Sequence, residues 1–358
     1  MSIDLSNNRR DPQWPRSVIA LTREHIGDLV CTTPALRSLR VLYPHAHIAV
    51  EVGERAACVL EHNPNVDEII VRPDRQGLRG KWRFIRLLRK RGFELAVILD
   101  DCADMSLYVW LGGVPRRAGL VRKKRFARLL TDGVPYQEDR HEMIDNFRNM
   151  IARLGGDVED AATEVFPSEA DAHIVDGLLC AALPGTGETW IGLNPGASAP
   201  SNRWTEQRFA ELGDRLMTRQ GVRVLLLGGP GDVETVARIC AHMKQRPTVL
   251  TGKMTVLQLA ETLRRCDAVV TGDTGPMHLA LAMKTPVVAL FGPATPSESG
   301  PGYVPGNIVI RKVSGCPHCT KYVCTDNRHC MTLITAREVE EAVLSLVPGT
   351  AAPLAAAH

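Results

Sequence analysis

The chain has 358 residues, of which 44% are hydrophobic and 23% are charged, a composition that excludes a disordered or fibrous protein. This length predicts two α/β cores rather than one. The N-terminal segment lacks the apolar core of a signal peptide, and no stretch approaches the roughly 20 apolar residues that span a bilayer, so we expect a cytoplasmic protein with mostly reduced cysteines.

The net charge of +3 is distributed unevenly along the chain. Residues 1–155 contain 26 Lys and Arg against 19 Asp and Glu, whereas residues 156–358 contain 17 against 21. This asymmetry indicates that the first half meets an anionic partner. A basic surface that is merely solvated is the alternative.

Short β-branched runs alternate with amphipathic helical patterns through the first half. This alternation predicts a parallel sheet covered by helices on both faces. The predicted strands are 17–21, 48–52, 68–71 and 95–99. Helices are predicted at 29–42 and 80–91, the latter with Leu78, Trp82, Ile85 and Leu88 at helical spacing.

The same alternation restarts in the second half. Strands are predicted at 190–194, 223–227, 248–250, 268–271 and 287–291, and helices at 205–220, 232–244, 255–266 and 276–283. A final helix opens at Thr335, where Glu338 completes a capping box. We therefore expect a first doubly wound domain over 1–165, a linker region over 166–189, a second domain over 190–347 and a frayed tail over 348–358.

The loop after the first predicted strand passes through Gly27 and Asp28 into a helix. A dinucleotide-binding fingerprint requires three glycines here, so binding of NAD or FAD is disfavoured. Asp28 has two interpretations. It is either the N-cap of the helix or a general base that takes a proton from an acceptor hydroxyl.

A second loop gives the strongest local signal, because residues 268–278 read AVVTGDTGPMH. A buried strand ends in a Gly-rich turn and a helix follows. Backbone N–H groups at that helix start, together with the Thr274 hydroxyl and His278, predict a site that holds a pyrophosphate. Asp273 would accept hydrogen bonds from sugar or ribose hydroxyls. An ordinary turn with a surface histidine is the alternative.

Two further loops fall at the same predicted sheet edge. Gly196, Ala197 and Ser198 allow a ligand to approach closely, and Arg203 offers a fork of donors for phosphate. Residues 228–232 read GGPGD after the next strand. Three such loops at one edge predict a nucleotide site.

Together these segments resemble glycosyltransferase family 9, the ADP-heptose:lipopolysaccharide heptosyltransferases. The resemblance covers nearly the whole chain and is most specific at GDTGPMH (272–278) and PVVALFGP (286–293). It implies the GT-B fold, in which two Rossmann-like doubly wound domains face each other across a cleft. It also implies inversion at the anomeric carbon and chemistry that requires no cofactor.

The resemblance also implies roles for single residues. Asp28 would be the catalytic base, Met254 would pack against adenine, and either Asp232 or Glu234 would bind the ribose hydroxyls. The donor sugar and pyrophosphate would be held by Asp273, Thr274, Gly275 and His278.

One position departs from the family pattern. Many members have a lysine two residues before the motif tryptophan, and this chain has Asn202 there. Either the neighbouring Arg203 supplies the charge or the use of the donor differs.

The implied reaction transfers L-glycero-D-manno-heptose from ADP-heptose to the lipopolysaccharide inner core, at Kdo or heptose on lipid A. The expected partners are that donor and an anionic lipopolysaccharide precursor, with no nucleic acid. One alternative is a transferase of the same fold that acts on another polysaccharide or a secondary metabolite. A non-catalytic nucleotide- or metal-binding module is an alternative of another class.

Residues 79–91 contain seven basic residues and no acid. If the acceptor is a phosphorylated lipid, this segment predicts peripheral contact with the inner face of the cytoplasmic membrane. A solvated face is again the alternative. Further basic residues in this half are Arg116, Arg117, Arg122, Lys123, Lys124, Arg125 and Arg128.

Four of the ten cysteines lie within fifteen residues, at Cys316, Cys319, Cys324 and Cys330. Their spacing suits a small metal site, most simply structural Zn²⁺. Free thiols or a redox disulfide are the main alternative, and a catalytic metal is the third.

Overall fold

The computed structural model describes residues 15–72, 77–100, 104–122, 126–137, 142–157, 160–182, 188–197, 199–292, 294–301, 304–313 and 329–347. The chain divides into two compact units, Met1–Phe166 and Pro167–His358. None of the described helices is long and apolar enough to cross a membrane.

The first unit contains a six-stranded sheet in which all strands are parallel. Its strands are β1 (Ser17–Leu21), β2 (His47–Val52), β3 (Glu68–Val71), β4 (Leu95–Ile98), β5 (Arg116–Val121) and β6 (Asp132–Pro135). Its helices are α1 (Ile26–Leu42), α2 (Gly77–Arg91), α3 (Asp104–Leu111) and α4 (Glu142–Leu154). The strand order is β3-β2-β1-β4-β5-β6.

One core of this unit lies between α2 and the sheet. Phe84, Ile85 and Leu88 of α2 are buried against sheet residues that include Ile19 and Ala96. Phe84 also meets Tyr108 of α3 edge to face, with ring centroids 6.3 Å apart. Burial of these apolar side chains stabilises the folded unit by roughly 25 cal/mol per Å² of apolar surface that is removed from water.

The second unit contains another all-parallel sheet of six strands. Its strands are β7 (Thr189–Asn194), β8 (Val222–Leu226), β9 (Thr248–Val249), β10 (Ala268–Gly272), β11 (Val287–Phe291) and β12 (Ile308–Arg311). Its helices are α5 (Glu169–Ala182), α6 (Glu206–Met217), α7 (Val233–His242), α8 (Val256–Arg264), α9 (Gly275–Ala282), α10 (Pro296–Ser299), α11 (His329–Thr332) and α12 (Ala336–Leu346).

The two sheets share one topology. The second sheet has the order β12-β11-β10-β7-β8-β9, which is the order of the first sheet written from its other edge. In each sheet the order reverses beside the first strand, between β1 and β4 and between β7 and β10. Open α/β sheets bind ligands beyond the carboxyl ends of the strands at such a reversal.

The predicted α/β class with two doubly wound sheets is confirmed, and each predicted strand is present within two residues of its expected bounds. The sequence interpretation did not include β5, β6, β12 or helices α3 to α5. Helix α5 lies inside the segment 166–189 and packs against α8, where Arg265 donates to the Ala172 carbonyl at 3.1 Å. The proposed domain limits stay a prediction.

Candidate functional site

The reversal in the second sheet brings two predicted loops together. Asn194 ends β7 and pairs in register with Thr271 of β10, one residue before β10 ends. The chain then turns through Asp273 into α9. The loop after β7 and the start of α9 therefore occupy the place where this fold binds ligands.

Helix α9 begins without a side-chain cap. Thr274 is its N-cap residue with an extended backbone, and its hydroxyl accepts no hydrogen bond from the first turn. Pro276, at the second helical position, has no N–H. His278 lies in the first turn and is buried, so the surface histidine of the alternative interpretation is wrong. The Met277 N–H already donates to the Thr274 carbonyl at 3.1 Å, which leaves the Gly275 N–H as the first-turn donor for an anion at this uncapped helix start.

A buried network of hydrogen bonds lies behind this helix start. The Asn194 Nδ2 donates to Thr271 Oγ1 at 3.0 Å and lies 3.4 Å from Thr274 Oγ1. The two hydroxyl oxygens are 3.1 Å apart. All three side chains are buried, so the position of the Thr274 hydroxyl is fixed by neighbours on two strands.

Asp232 lies against the loop after β7, and Glu234 does not. The Asp232 carboxylate accepts from the Gly229 N–H at 2.9 Å, and a Cβ at Gly196 would come within 2.6 Å of its Oδ1. The Glu234 side chain is 89% exposed and pairs with Arg238 at 2.7 Å. Of the two candidates for the ribose hydroxyls, the structure therefore places only Asp232 beside the other donor-site residues.

The segment with the unusual asparagine is built into the same loop. Arg203 donates through Nε to the Ala197 carbonyl at 3.0 Å, which joins it to the loop after β7. Trp204 is buried and donates to the Ile334 carbonyl at 3.0 Å. Asn202 is also buried, and its Oδ1 has no hydrogen-bond partner among the residues that the structure describes. Ser198, predicted for this loop, lies outside those residues.

Met254 is half-buried in the turn before α8. The buried Thr262 hydroxyl lies 3.1 Å from the Met254 sulfur, close enough to donate to it. This contact holds the thioether against α8. Its packing against a purine stays a prediction.

In the first unit, Asp28 lies at a place that corresponds to the loop after β7 in the second unit. It follows β1, the strand beside which the order of the first sheet reverses. Helix α1 begins at Ile26 with His25 as its N-cap residue, so the N-cap interpretation of Asp28 is wrong. The carboxylate lies instead inside the first turn, 3.8 Å from Arg23 Nη1, and is 23% exposed. It is therefore accessible to a ligand from solvent.

A buried ion pair holds the loop that leads to Asp28. The Glu51 carboxylate at the end of β2 is fully buried and accepts from Arg72 at 2.9 and 3.0 Å. Arg72 also donates to Glu24 at 2.9 Å and to the Thr22 carbonyl. Burial lowers the pKa of Arg72, but the charge and hydrogen bonds of Glu51, with the hydrogen bond to Glu24 and the charge of Asp100, together outweigh it and hold that pKa above its usual value.

The basic segment forms the outer face of α2. Its basic residues are half-buried or exposed, and Arg91 pairs with Glu68 of β3. Leu78 and Trp82 were predicted to share the apolar face with Ile85 and Leu88. They are instead 76% and 54% exposed. The start of α2 therefore presents apolar side chains among cations.

The second basic group is not one surface. Arg116 is buried and its guanidinium binds Asp132 of β6 at 3.1 and 3.2 Å. Arg117 donates to three backbone carbonyls, at Val114, Pro115 and Leu129. Both residues thus stabilise the fold. Lys123, Lys124 and Arg125 lie outside the described residues.

Three cysteines of the predicted cluster, Cys316, Cys319 and Cys324, lie outside the described residues. Cys330 is buried at the start of α11. The part of the chain that the structure describes contains no group of three or more His, Cys, Asp or Glu side chains placed to hold a metal ion. The zinc expectation is therefore not supported.

Sequence reasoning missed the residues that act behind the site. Asn194 and Thr271 lie at the ends of strands that were predicted, but neither was assigned a role. The pair of Glu51 and Arg72 was missed as well. A signal for it existed, because Glu51 interrupts the apolar strand HIAVEV and a buried acid requires a cation.

A family model described as glycosyltransferase family 9 (heptosyltransferase) matches residues 81–329. Lipopolysaccharide heptosyltransferase 2 of Salmonella typhimurium is 26% identical over 299 residues, which are 79% of this chain and 85% of that protein. Lipopolysaccharide heptosyltransferase 3 of Escherichia coli is 24% identical over 292 residues, 74% of this chain and 80% of the relative.

Solved structures agree with this similarity. A glycosyl transferase family 9 protein from Veillonella parvula superposes with a TM-score of 0.80 at 26% identity, covering 94% of this chain and 98% of that chain. The ADP-heptose lps heptosyltransferase II of E. coli superposes with a TM-score of 0.74 at 23% identity, covering 92% and 98%. The expected GT-B fold class is thereby confirmed.

Proposed function

Because this chain belongs to glycosyltransferase family 9, we propose that it transfers heptose from ADP-heptose to the inner core of lipopolysaccharide. The activities of its lipopolysaccharide heptosyltransferase relatives and of the similar ADP-heptose lps heptosyltransferase II of E. coli support this substrate pair, and the chain spans most of their length. The observation that carries the proposal is the uncapped start of α9, at the reversal of a sheet, next to a buried network that ends in Thr274.

The donor binds at the second unit. The Gly275 N–H at the start of α9 and the Thr274 hydroxyl hold the diphosphate, which carries the negative charge that a helix start stabilises. His278 and Arg203 contribute further donors to the phosphates. Asp232 accepts from the ribose hydroxyls, Asp273 contacts the sugar, and Met254 packs against adenine.

The reaction is a single displacement with inversion. The acceptor hydroxyl oxygen forms a bond to the anomeric carbon while the bond from that carbon to the diphosphate oxygen breaks. Asp28 takes the proton of the hydroxyl, and ADP departs with the electron pair. The donors at the start of α9 stabilise the charge that develops on the departing diphosphate. The proton goes to Asp28 and the electron pair to ADP, so the step requires no redox cofactor.

Replacement of Asp28 by asparagine tests the base. We expect Asp28→Asn to lower the transfer rate by about 10²-fold or more and to leave ADP affinity unchanged, measured by product chromatography and calorimetry. Asp104→Asn is the matched control, because Asp104 also lies in the first turn of a helix of the first unit. Full activity of the Asp28 variant would remove this residue from the mechanism.

The identity of the donor requires its own test, because Asn202 stands where many family members have a lysine. Calorimetry with ADP-, UDP-, GDP- and TDP-linked ligands should show a preference for the adenine nucleotide. A preference for another base would keep the proposed glycosyl transfer and change only the identity of the donor nucleotide. Product analysis with lipid and soluble acceptors separates lipopolysaccharide from other acceptors.

The anionic acceptor also suggests how the enzyme reaches it. Leu78 and Trp82 enter the headgroup region of an anionic membrane, and the surrounding cations of α2 bind its phosphates. Co-sedimentation with vesicles of phosphatidylglycerol should fall when both apolar residues are replaced by serine, and when salt is raised. Val41→Ser is the matched control, because Val41 is 77% exposed on α1. Binding that ignores both changes would exclude this surface.

A further inference from the structure

Asn194 is a buried amide whose orientation the neighbouring atoms determine. Its side chain is 1% exposed, and Nδ2 lies within 3.4 Å of the Gly196 carbonyl as well as both threonine hydroxyls. A carbonyl oxygen can only accept, so the amide cannot turn its own oxygen toward Gly196. The amide has two N–H protons for these three acceptors, so one donates to Thr271 at 3.0 Å and the other is shared between the Gly196 carbonyl and Thr274, each at 3.4 Å; neither hydroxyl donates to this nitrogen.

The direction of these donations constrains the hydroxyl protons. Thr271 has one proton, which goes either to the Gly272 carbonyl at 3.2 Å or to Thr274 Oγ1 at 3.1 Å. When Thr271 donates to Thr274, both lone pairs of Thr274 are occupied, one by Thr271 and one by Asn194. The Thr274 proton then points away from the network, toward the start of α9.

From this geometry we infer that Asn194 is a positioning residue that makes the Thr274 hydroxyl a hydrogen-bond donor to the diphosphate of the bound nucleotide. The inference rests on the proposed function, because it assumes that a diphosphate occupies the start of α9. An anion there selects the arrangement in which Thr274 donates outward. Asn194 supports that arrangement from behind and does not touch the ligand.

A substitution that removes the Asn194 Oδ1 can distinguish this positioning role from a purely structural one. This oxygen is buried and has no hydrogen-bond partner among the described residues, which disfavours the folded state. Asn194→Leu keeps the shape of the side chain and removes both the donor group and the unpaired oxygen. Loss of the unpaired oxygen and loss of the donor to the Gly196 carbonyl oppose each other, so we expect the thermal midpoint of this variant to stay close to that of the wild type. A residue needed only for the fold would lower it.

A double-mutant cycle with Thr274→Val tests the coupling by calorimetry with ADP. Thr274→Val should weaken ADP binding about tenfold, and Asn194→Leu about threefold to tenfold. In the Thr274→Val background, Asn194→Leu should have little further effect, because its route to the ligand through the Thr274 hydroxyl is gone. Thr285→Val is the control, since Thr285 is equally buried and its hydroxyl donates to the Leu263 carbonyl at 2.8 Å. It should leave ADP affinity unchanged.

The outcomes distinguish the two proposals. If the wild type binds no ADP, the proposed function fails and this inference with it. If the wild type binds ADP and Asn194→Leu weakens it equally in both backgrounds, only the role of Asn194 is overturned. Asn194→Asp provides a second arm, because a carboxylate accepts from both hydroxyls and turns the Thr274 proton inward. It should weaken ADP binding more than leucine does, and an equal or smaller loss would contradict the inference.

Discussion

Replacement of Arg72 by methionine removes the cation that neutralises a buried acid. Glu51 is fully buried and Arg72 is its bidentate partner, so the variant leaves an uncompensated carboxylate in the core of the first unit. Loss of one partner of a buried pair costs ~3–5 kcal/mol. The exposed contact to Glu24 adds ~0–1 kcal/mol. We expect the free energy of unfolding of this unit to fall by ~3–5 kcal/mol.

Urea denaturation, followed by hydrogen exchange of peptides that cover β2, measures this loss. Combination of Arg72→Met with Glu51→Leu removes both charges and should recover most of it, because an apolar pair fills the same space without a desolvation cost. Arg91→Met is the matched control, since Arg91 is 47% exposed and its pair with Glu68 should contribute less than ~1 kcal/mol. A loss below ~1 kcal/mol for Arg72→Met, or no recovery in the double variant, would refute the reasoning.

Three further predictions concern the second unit. The hydrogen bond from Arg264 lowers the pKa of the buried Glu261 below its ordinary 4.5, so the stability it supplies is complete above that value and is lost as the pH falls. Glu261→Gln should therefore lower the thermal midpoint at neutral pH and flatten its acid dependence as the pH falls below 4.5, and an unchanged acid profile would contradict this. Burial raises the pKa of the Cys266 thiol to about 12, so iodoacetamide at about pH 8 should modify it only after unfolding in urea, as peptide mass spectrometry can show. A Cβ at Gly196 would lie 2.6 Å from a carboxylate oxygen, so Gly196→Ala should cost ~1–3 kcal/mol in thermal denaturation, whereas Gly231→Ala meets nothing within 4 Å and should cost less. Equal effects of the two alanines would argue against the close packing of this loop.

The sequence predicted the strands whose burial depends on their own residues. Runs such as VVALF at 287–291 are apolar throughout and form β11 as expected. Strand β5 begins with Arg116 and Arg117 and was therefore missed. Arg116 is tolerated inside the sheet because Asp132, in the next strand, neutralises it. A window along the chain cannot detect that pairing, since propensity describes neighbours in sequence and not neighbours in space.

The same distinction applies to the site. The loops were predictable because glycine-rich turns before a helix follow local rules of backbone geometry. The start of α1 was misplaced because apolar spacing begins at Leu29, whereas the helix begins at Ile26. The network behind Thr274 was not predictable, because it joins residues of two strands. The roles of Asp28 and the donor-site residues stay predictions that the experiments above address.

The hydrogen bond between Asn194 and Thr271 spans 77 positions of the chain. During translation Asn194 therefore leaves the ribosome well before its partner on β10 has been made, and α9 follows later still. Until then the nascent chain lacks the complete nucleotide site that we propose. Ligand binding stabilises only states that contain the site, so cellular nucleotide can protect the finished unit and gives no assistance to its growing precursor.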